Sequence, residues 1–179
     1  MSKRGLLTLA LLTIFFASGC SAKTPLAERG MLEQEQVERV TELEELFRRL
    51  GDRVDADESK VLARDAFTFA YRLSERYDLV WPPLWHNTLV NMGLKERGLC
   101  HQWADDMLAH VKEGGYRSFD FYLGVSGLGT LWEHNTLVVS AKGEPFEQGV
   151  VLDPWRDSGE LYFEKVSEDE KYQWQKRDR

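Results

Sequence analysis

Cys100, His134 and Asp153 stand where their chemistry can be combined. Their segments, in chain order, are Gly98-Leu99-Cys100-His101-Gln102-Trp103, Glu133-His134-Asn135-Thr136-Leu137-Val138-Val139 and Val150-Val151-Leu152-Asp153-Pro154-Trp155. The first reads as a cysteine opening a helix, the second as a strand carrying a histidine, the third as an apolar strand ending on an aspartate. The free N–H groups at a helix start favour a thiolate over a thiol. An imidazole can hold the thiol proton, and a carboxylate on its other nitrogen fixes the tautomer and stabilises the imidazolium. These are the parts of an activated nucleophile, and they point to an enzyme working on acyl carbons. The Cys100 N–H is one available oxyanion donor.

Each part has a structural alternative. Cys100 could be a small buried apolar residue, and Asp153 before Pro154 could simply start a turn. Two of the other histidines are poorly placed as the base. His101 projects about 100° away from Cys100 on the same helix, and His110 lies roughly 15 Å along its axis. His134 is the preferred base, and His86, on a separate helix, stays open. A second oxyanion donor could come from Trp81, Trp85, Asn87 or Asn91, although Trp85 and Asn87 cannot both face one site. Trp103, one turn after Cys100, reads as core packing.

The elements that must position these residues follow from periodicity. Leu32 to Leu50 has helical spacing through Val37, Val40, Leu43, Leu46, Phe47 and Leu50, with a dense Glu/Arg face. Asp57 or Ser59 can cap a second helix, marked by Val61, Leu62, Phe67, Phe69, Ala70 and Leu73 and ending near Tyr77 or Asp78. Trp81-Pro82-Pro83 is a rigid extended lead into a third, from Leu84 to about Glu96. The fourth starts at Cys100, turns Trp103, Ala104, Met107, Leu108 and Val111 inward, and stops at Gly114-Gly115. Alternation then takes over: Phe119 to Val125, the strand around Thr136 to Val139, Val150 to Leu152, and Leu161 to Phe163. Gly124 to Thr130 reads as a glycine-rich turn without a phosphate-loop lysine, Gly143 to Gly149 as another turn. The last dozen residues read as a solvated charged tail or short helix. Helices followed by an antiparallel sheet make the class α+β. A single domain is expected over 31–179, with a helical part at 31–114 and a sheet part at 115–165.

The first 19 residues read as a signal peptide: Lys3 and Arg4, an apolar run from Leu6 to Phe16, and small Ala17-Ser18-Gly19. The run is shorter than the roughly 20 apolar residues a span needs. Ala17-Ser18-Gly19-Cys20 resembles a bacterial lipobox, with Ala17 where leucine is usual. The resemblance implies lipidation of Cys20, a tether over 20–30 and, with Ser21 next, sorting to the outer membrane; several acyl chains hold firmly to a bilayer. Cys100 is then the only thiol left, in a compartment where cysteines normally pair. The net charge is −7, more negative still without Lys3 and Arg4. That surface offers no basic footprint for nucleic acid. With no cluster at zinc spacing and no calcium-loop pattern, no metal or other cofactor is expected.

Gly-x-Cys-x-x-Trp, a histidine leading an alternating strand, and Leu-Asp-Pro-Trp, at these spacings, resemble the transglutaminase-like cysteine peptidase superfamily over about Leu84 to Tyr162. The resemblance implies a papain-like fold, a cysteine-bearing helix packed on an antiparallel sheet, with Cys100 as nucleophile, His134 as base and Asp153 as its orienter. His101 stands where transglutaminases have tryptophan, and the chain has no room for their calcium-binding and accessory domains. Leu99 and His101 also depart from the Asp-Cys-Ser of NlpC/P60-type wall endopeptidases. Hydrolysis by a membrane-anchored peptidase or amidase in the cell envelope, on the periplasmic face, is therefore expected, its partner a peptide or protein substrate. A catalytically silent lipoprotein binding an envelope partner, and an acyl-transferase, are the alternatives.

Overall fold

The computed structural model describes residues 33–178. The expected signal peptide, the Cys20 lipidation site and the tether lie outside the described residues. Four helices, α1 (Glu33–Arg48), α2 (Ala56–Arg76), α3 (Pro83–Asn91) and α4 (Cys100–Glu113), precede the sheet. Its strands are β1 (Phe119–Ser126), β2 (His134–Ala141), β3 (Val150–Asp157), β4 (Glu160–Lys165) and β5 (Gln175–Lys176). All neighbours pair antiparallel, in the order β4-β3-β2-β1-β5. The class is α+β. Among the described residues no helix is long and apolar enough to cross a membrane.

Period-2 alternation sorts the central strands into two faces. Leu137 and Val139 of β2 and Val150 and Leu152 of β3 join Leu43, Phe47, Leu62, Phe67, Leu73, Trp103 and Met107 in the main core. Val138 and Val151 point the other way, to Phe146 and Val166, with Trp174 packed alongside. Trp103 is buried edge-on to Tyr77, as core packing requires. The acidic helix α1 is a packed structural element. Leu43 and Phe47 are fully buried, and Arg39 reaches Glu160 Oε1 at 2.5 Å and the Leu161 carbonyl at 2.7 Å.

Several boundaries differ from expectation. The cap of α2 is Asp55, whose Oδ1 accepts from the N–H groups of Asp57 and Glu58, both at 2.9 Å. Val37 and Val61 share the helical spacing of their neighbours but face solvent, 60% and 57% exposed. Helix α3 stops at Asn91 rather than near Glu96. Gly93 takes φ +74° there, and its N–H and that of Leu94 turn back to the carbonyls of Val90 and Leu89. Strand β3 runs through Asp153 to Asp157, with a register irregularity between those two residues, so the aspartate is not a strand end. Gly124 to Ser126 belong to β1, and the turn begins at Gly127.

The largest departure is at the C-terminus. Residues 167–178 form neither a solvated tail nor a helix: β5 pairs with Gly124 and Val125, and Asp169 is buried. The sheet part therefore extends past residue 165, which strengthens the end where His134 lies.

Candidate active site

Helix α4 begins at the cysteine for local reasons. Gln102, three residues after the cap Leu99, turns its Oε1 back to accept from Gly98 N at 2.8 Å and Leu99 N at 3.0 Å. As the first residue of the helix, Cys100 has no intrahelical acceptor for its own N–H. Gly98 precedes it at φ +128°, and a Cβ there would fall 2.2 Å from His86 Nε2. Only glycine serves at that position.

His86 supports this turn and is excluded as the base. It is buried, its Nδ1 accepts from Val80 N at 3.2 Å, and its Nε2 donates to the Arg97 carbonyl at 2.8 Å. Neither nitrogen is left for a thiol. His101 is exposed, and His110 pairs with Asp65 at 2.9 Å while stacking on Phe69.

The structure brings Cys100, His134 and Asp153 together. His134 opens β2, and extending the β2–β3 register beyond Leu137 and Leu152 puts Asp153 opposite Thr136. That makes His134 and Asp153 diagonal neighbours on one face. Thr136 Oγ1 pins the strands by donating to the Leu152 carbonyl at 2.8 Å. His134 Nε2 donates to Asp153 Oδ2 across 2.6 Å, both side chains being almost fully buried. The other ring nitrogen, Nδ1, is buried without a hydrogen-bond partner of its own. Cys100 Sγ lies at the same end of β2, 3.9 Å from the Glu133 carbonyl and 4.0 Å from Asn135 Nδ2.

Burial alone would push the Cys100 thiol up, but the imidazole of His134 and the amide groups of Asn135 hold it below its ordinary value. Burial likewise pulls His134 down; the Asp153 carboxylate and the Cys100 thiol overcome it and raise the imidazole to about 9. Each shift favours the thiolate–imidazolium pair.

Trp155, part of the motif already read from the sequence, and three residues that sequence reasoning missed, Arg156, Tyr172 and Trp174, surround His134 and Asp153. Trp155 and Tyr172 lie 4.6 Å from the His134 ring, centroid to centroid, and Trp174 lies 5.5 Å away. Arg156 Nε meets Asp153 Oδ2 at 3.2 Å, and its Nη2 meets buried Asp169 at 2.6 Å, while its guanidinium stacks on Tyr162 at 3.7 Å. A signal existed for the terminal pair. Tyr172-x-Trp174 puts two aromatics into a charged run, which a solvated tail does not need.

The expected oxyanion donors fare differently. Asn87 Oδ1 accepts from Trp155 Nε1 at 3.0 Å, which ties α3 to the site from behind Trp155. Trp85 and Asn91 are exposed on α3, and Trp81 is half-buried before it; no hydrogen bond joins any of them to Cys100. Among the described residues no group of three or more His, Cys, Asp or Glu could hold a metal ion. No family model matches the chain, and comparison with curated proteins and with solved structures gives no match.

Proposed function

We propose that this protein is a thiol hydrolase, a peptidase or amidase of the papain-like, transglutaminase-like kind. One observation carries the reading: a buried histidine bonded through Nε2 to a buried aspartate at 2.6 Å, its Nδ1 buried without a partner, and a cysteine at a helix start close enough to interact with the imidazole. A packing histidine has no need of an unsatisfied buried nitrogen, which costs stability.

In the reaction, the Cys100 thiolate attacks a peptide or side-chain amide carbonyl. The carbonyl π electrons move to oxygen, and collapse of the adduct expels the amine, which takes the proton from His134 Nδ1. Water, deprotonated by the same nitrogen, then cleaves the thioester and restores the thiol. Asp153 holds the ring in place and stabilises its charge. Lipidation of Cys20 would keep this chemistry in the cell envelope, on a peptide or protein substrate.

The test is the pH dependence of Cys100 alkylation beside the His134→Ala variant, followed by amide hydrolysis with and without an added amine. Fast alkylation well below pH 8.5, the ordinary thiol value, and lost in the variant, supports the reading; the amine distinguishes hydrolysis from acyl transfer. Alkylation with an ordinary thiol profile, unchanged by the variant, leaves a protein that binds rather than turns over.

A further inference from the structure

Asn135 follows the histidine directly and is buried, yet its side chain does not belong to the core. By strand alternation it shares the face of Leu137, towards the helices, so it meets Cys100 from the helical side of the sheet. Its Nδ2 is 4.0 Å from Sγ. The orientation of the amide is set by Arg177, whose Nη1 donates to Oδ1 at 2.5 Å. A guanidinium can only donate, so it takes the amide oxygen and leaves the N–H₂ group facing the sulfur. Glu133 secures both: its Oε1 accepts from Arg177 Nη1 at 2.6 Å and from Asn135 Nδ2 at 3.3 Å. One Nδ2 hydrogen is thereby committed to Glu133, and the second is directed to the sulfur side.

The chain order explains why Arg177 arrives there. Strand β5 pairs with β1 through Lys176 and Gln175, and Arg177 N donates to the Leu123 carbonyl at 2.8 Å, which fixes the arginine beside the start of β2. The exposed α3 residues cannot offer such a donor.

We propose that Asn135 Nδ2 is the side-chain oxyanion donor of this site, paired with the Cys100 N–H, and that Arg177 is the positioning residue that keeps the amide turned the right way; this rests on the thiol-hydrolase reading above. When Sγ bonds to a carbonyl carbon, the new oxyanion lies within about 3 Å of the sulfur. A donor 4 Å from the sulfur is then within reach of that oxygen, and a buried, preorganised donor acts there without reorganisation.

The experiment compares two reactions of the same thiolate. A p-nitrophenyl ester acylates Cys100 through an oxyanion. Iodoacetamide alkylates it by displacement at a saturated carbon, where no oxyanion forms. Both rates are read on the high-pH plateau, where all the thiol is ionised, so that a shift in thiol pKa does not enter. Asn135→Ala should lower the ratio of acylation to alkylation by about 100- to 1,000-fold, and Asn135→Asp, of the same size but without the donor, should do the same. Arg177→Met should lower it less, and add nothing in the Asn135→Ala background. Loss of both rates together, or an unchanged ratio in a folded Asn135→Asp protein, overturns the donor assignment while leaving the nucleophile in place. Wild-type protein that alkylates slowly and independently of His134 and is not acylated at all overturns the hydrolase reading itself, and the donor with it.

Discussion

Arg156 Nε and His134 Nε2 converge on the same carboxylate oxygen, Asp153 Oδ2, at 3.2 and 2.6 Å. The arginine is itself held by Asp169, which also accepts from Trp174 Nε1 at 2.8 Å. Asp153 is thus clamped between His134 and Arg156, and Arg156 is held in turn by Asp169 of the C-terminal segment. Arg156→Met strips that clamp and leaves Asp169 buried without its cation, which should cost about 3 kcal/mol or more. Urea unfolding measures the loss. The double variant Arg156→Met, Asp169→Leu should recover part of it, because no unpaired charge then stays buried.

Asp153→Asn should keep the fold and lose the charge. By analogy with serine triads, turnover should fall by about 10⁴-fold. Steady-state hydrolysis of an amide substrate checks this, and a loss below about tenfold would show that Asp153 serves packing and hydrogen bonding alone.

The pH profile follows from the two shifts. Turnover needs the thiolate and the protonated imidazole together. It should rise as pH climbs through the lowered thiol value and fall as pH passes about 9, where His134 loses its proton. Asp153→Asn removes the charge that raises His134, so the alkaline limb should move to lower pH.

The same histidine ties stability to pH. The folded state holds its proton more tightly than the unfolded chain, whose value is near 6.5. Its contribution is complete below that value and disappears as pH rises through about 9. In a Cys100→Ala background, where the coupled thiol is gone, Tm should still fall over the alkaline side of this range. Adding His134→Gln should remove that part of the slope.

Gly98→Ala combines a disfavoured backbone conformation with a clash against the His86 ring. It should destabilise the protein by about 2 kcal/mol or more and slow alkylation of Cys100, because the helix start that carries the thiol must move. Denaturant unfolding and alkylation rates on the same sample measure both effects.

Local pattern was enough for the order of α1 to α4 and β1 to β4, the start of α4 at Cys100, the inward face of that helix and the residue types at the site, but not for β5. Those are local properties: a capping pattern, a helical period and strand alternation act over a few residues. It mistook the length of α3, because the left-handed turn at Gly93 ends a pattern that otherwise continues apolar. Long-range packing is what removes His86 as the alternative base. Strand context favours His134 and leaves His86 open; His86 drops out because it spends both nitrogens on Val80 and Arg97, while β2 and β3 bring His134 to Asp153. Asn135, Arg156, Asp169 and Arg177 were beyond local reading for the same reason. Their decisive partners are distant in sequence (Cys100 and Arg177 for Asn135, Asp169 for Arg156), and the C-terminal segment gains its place from pairing with β1 and from the Arg156–Asp169 ion pair, contacts no short window of residues contains.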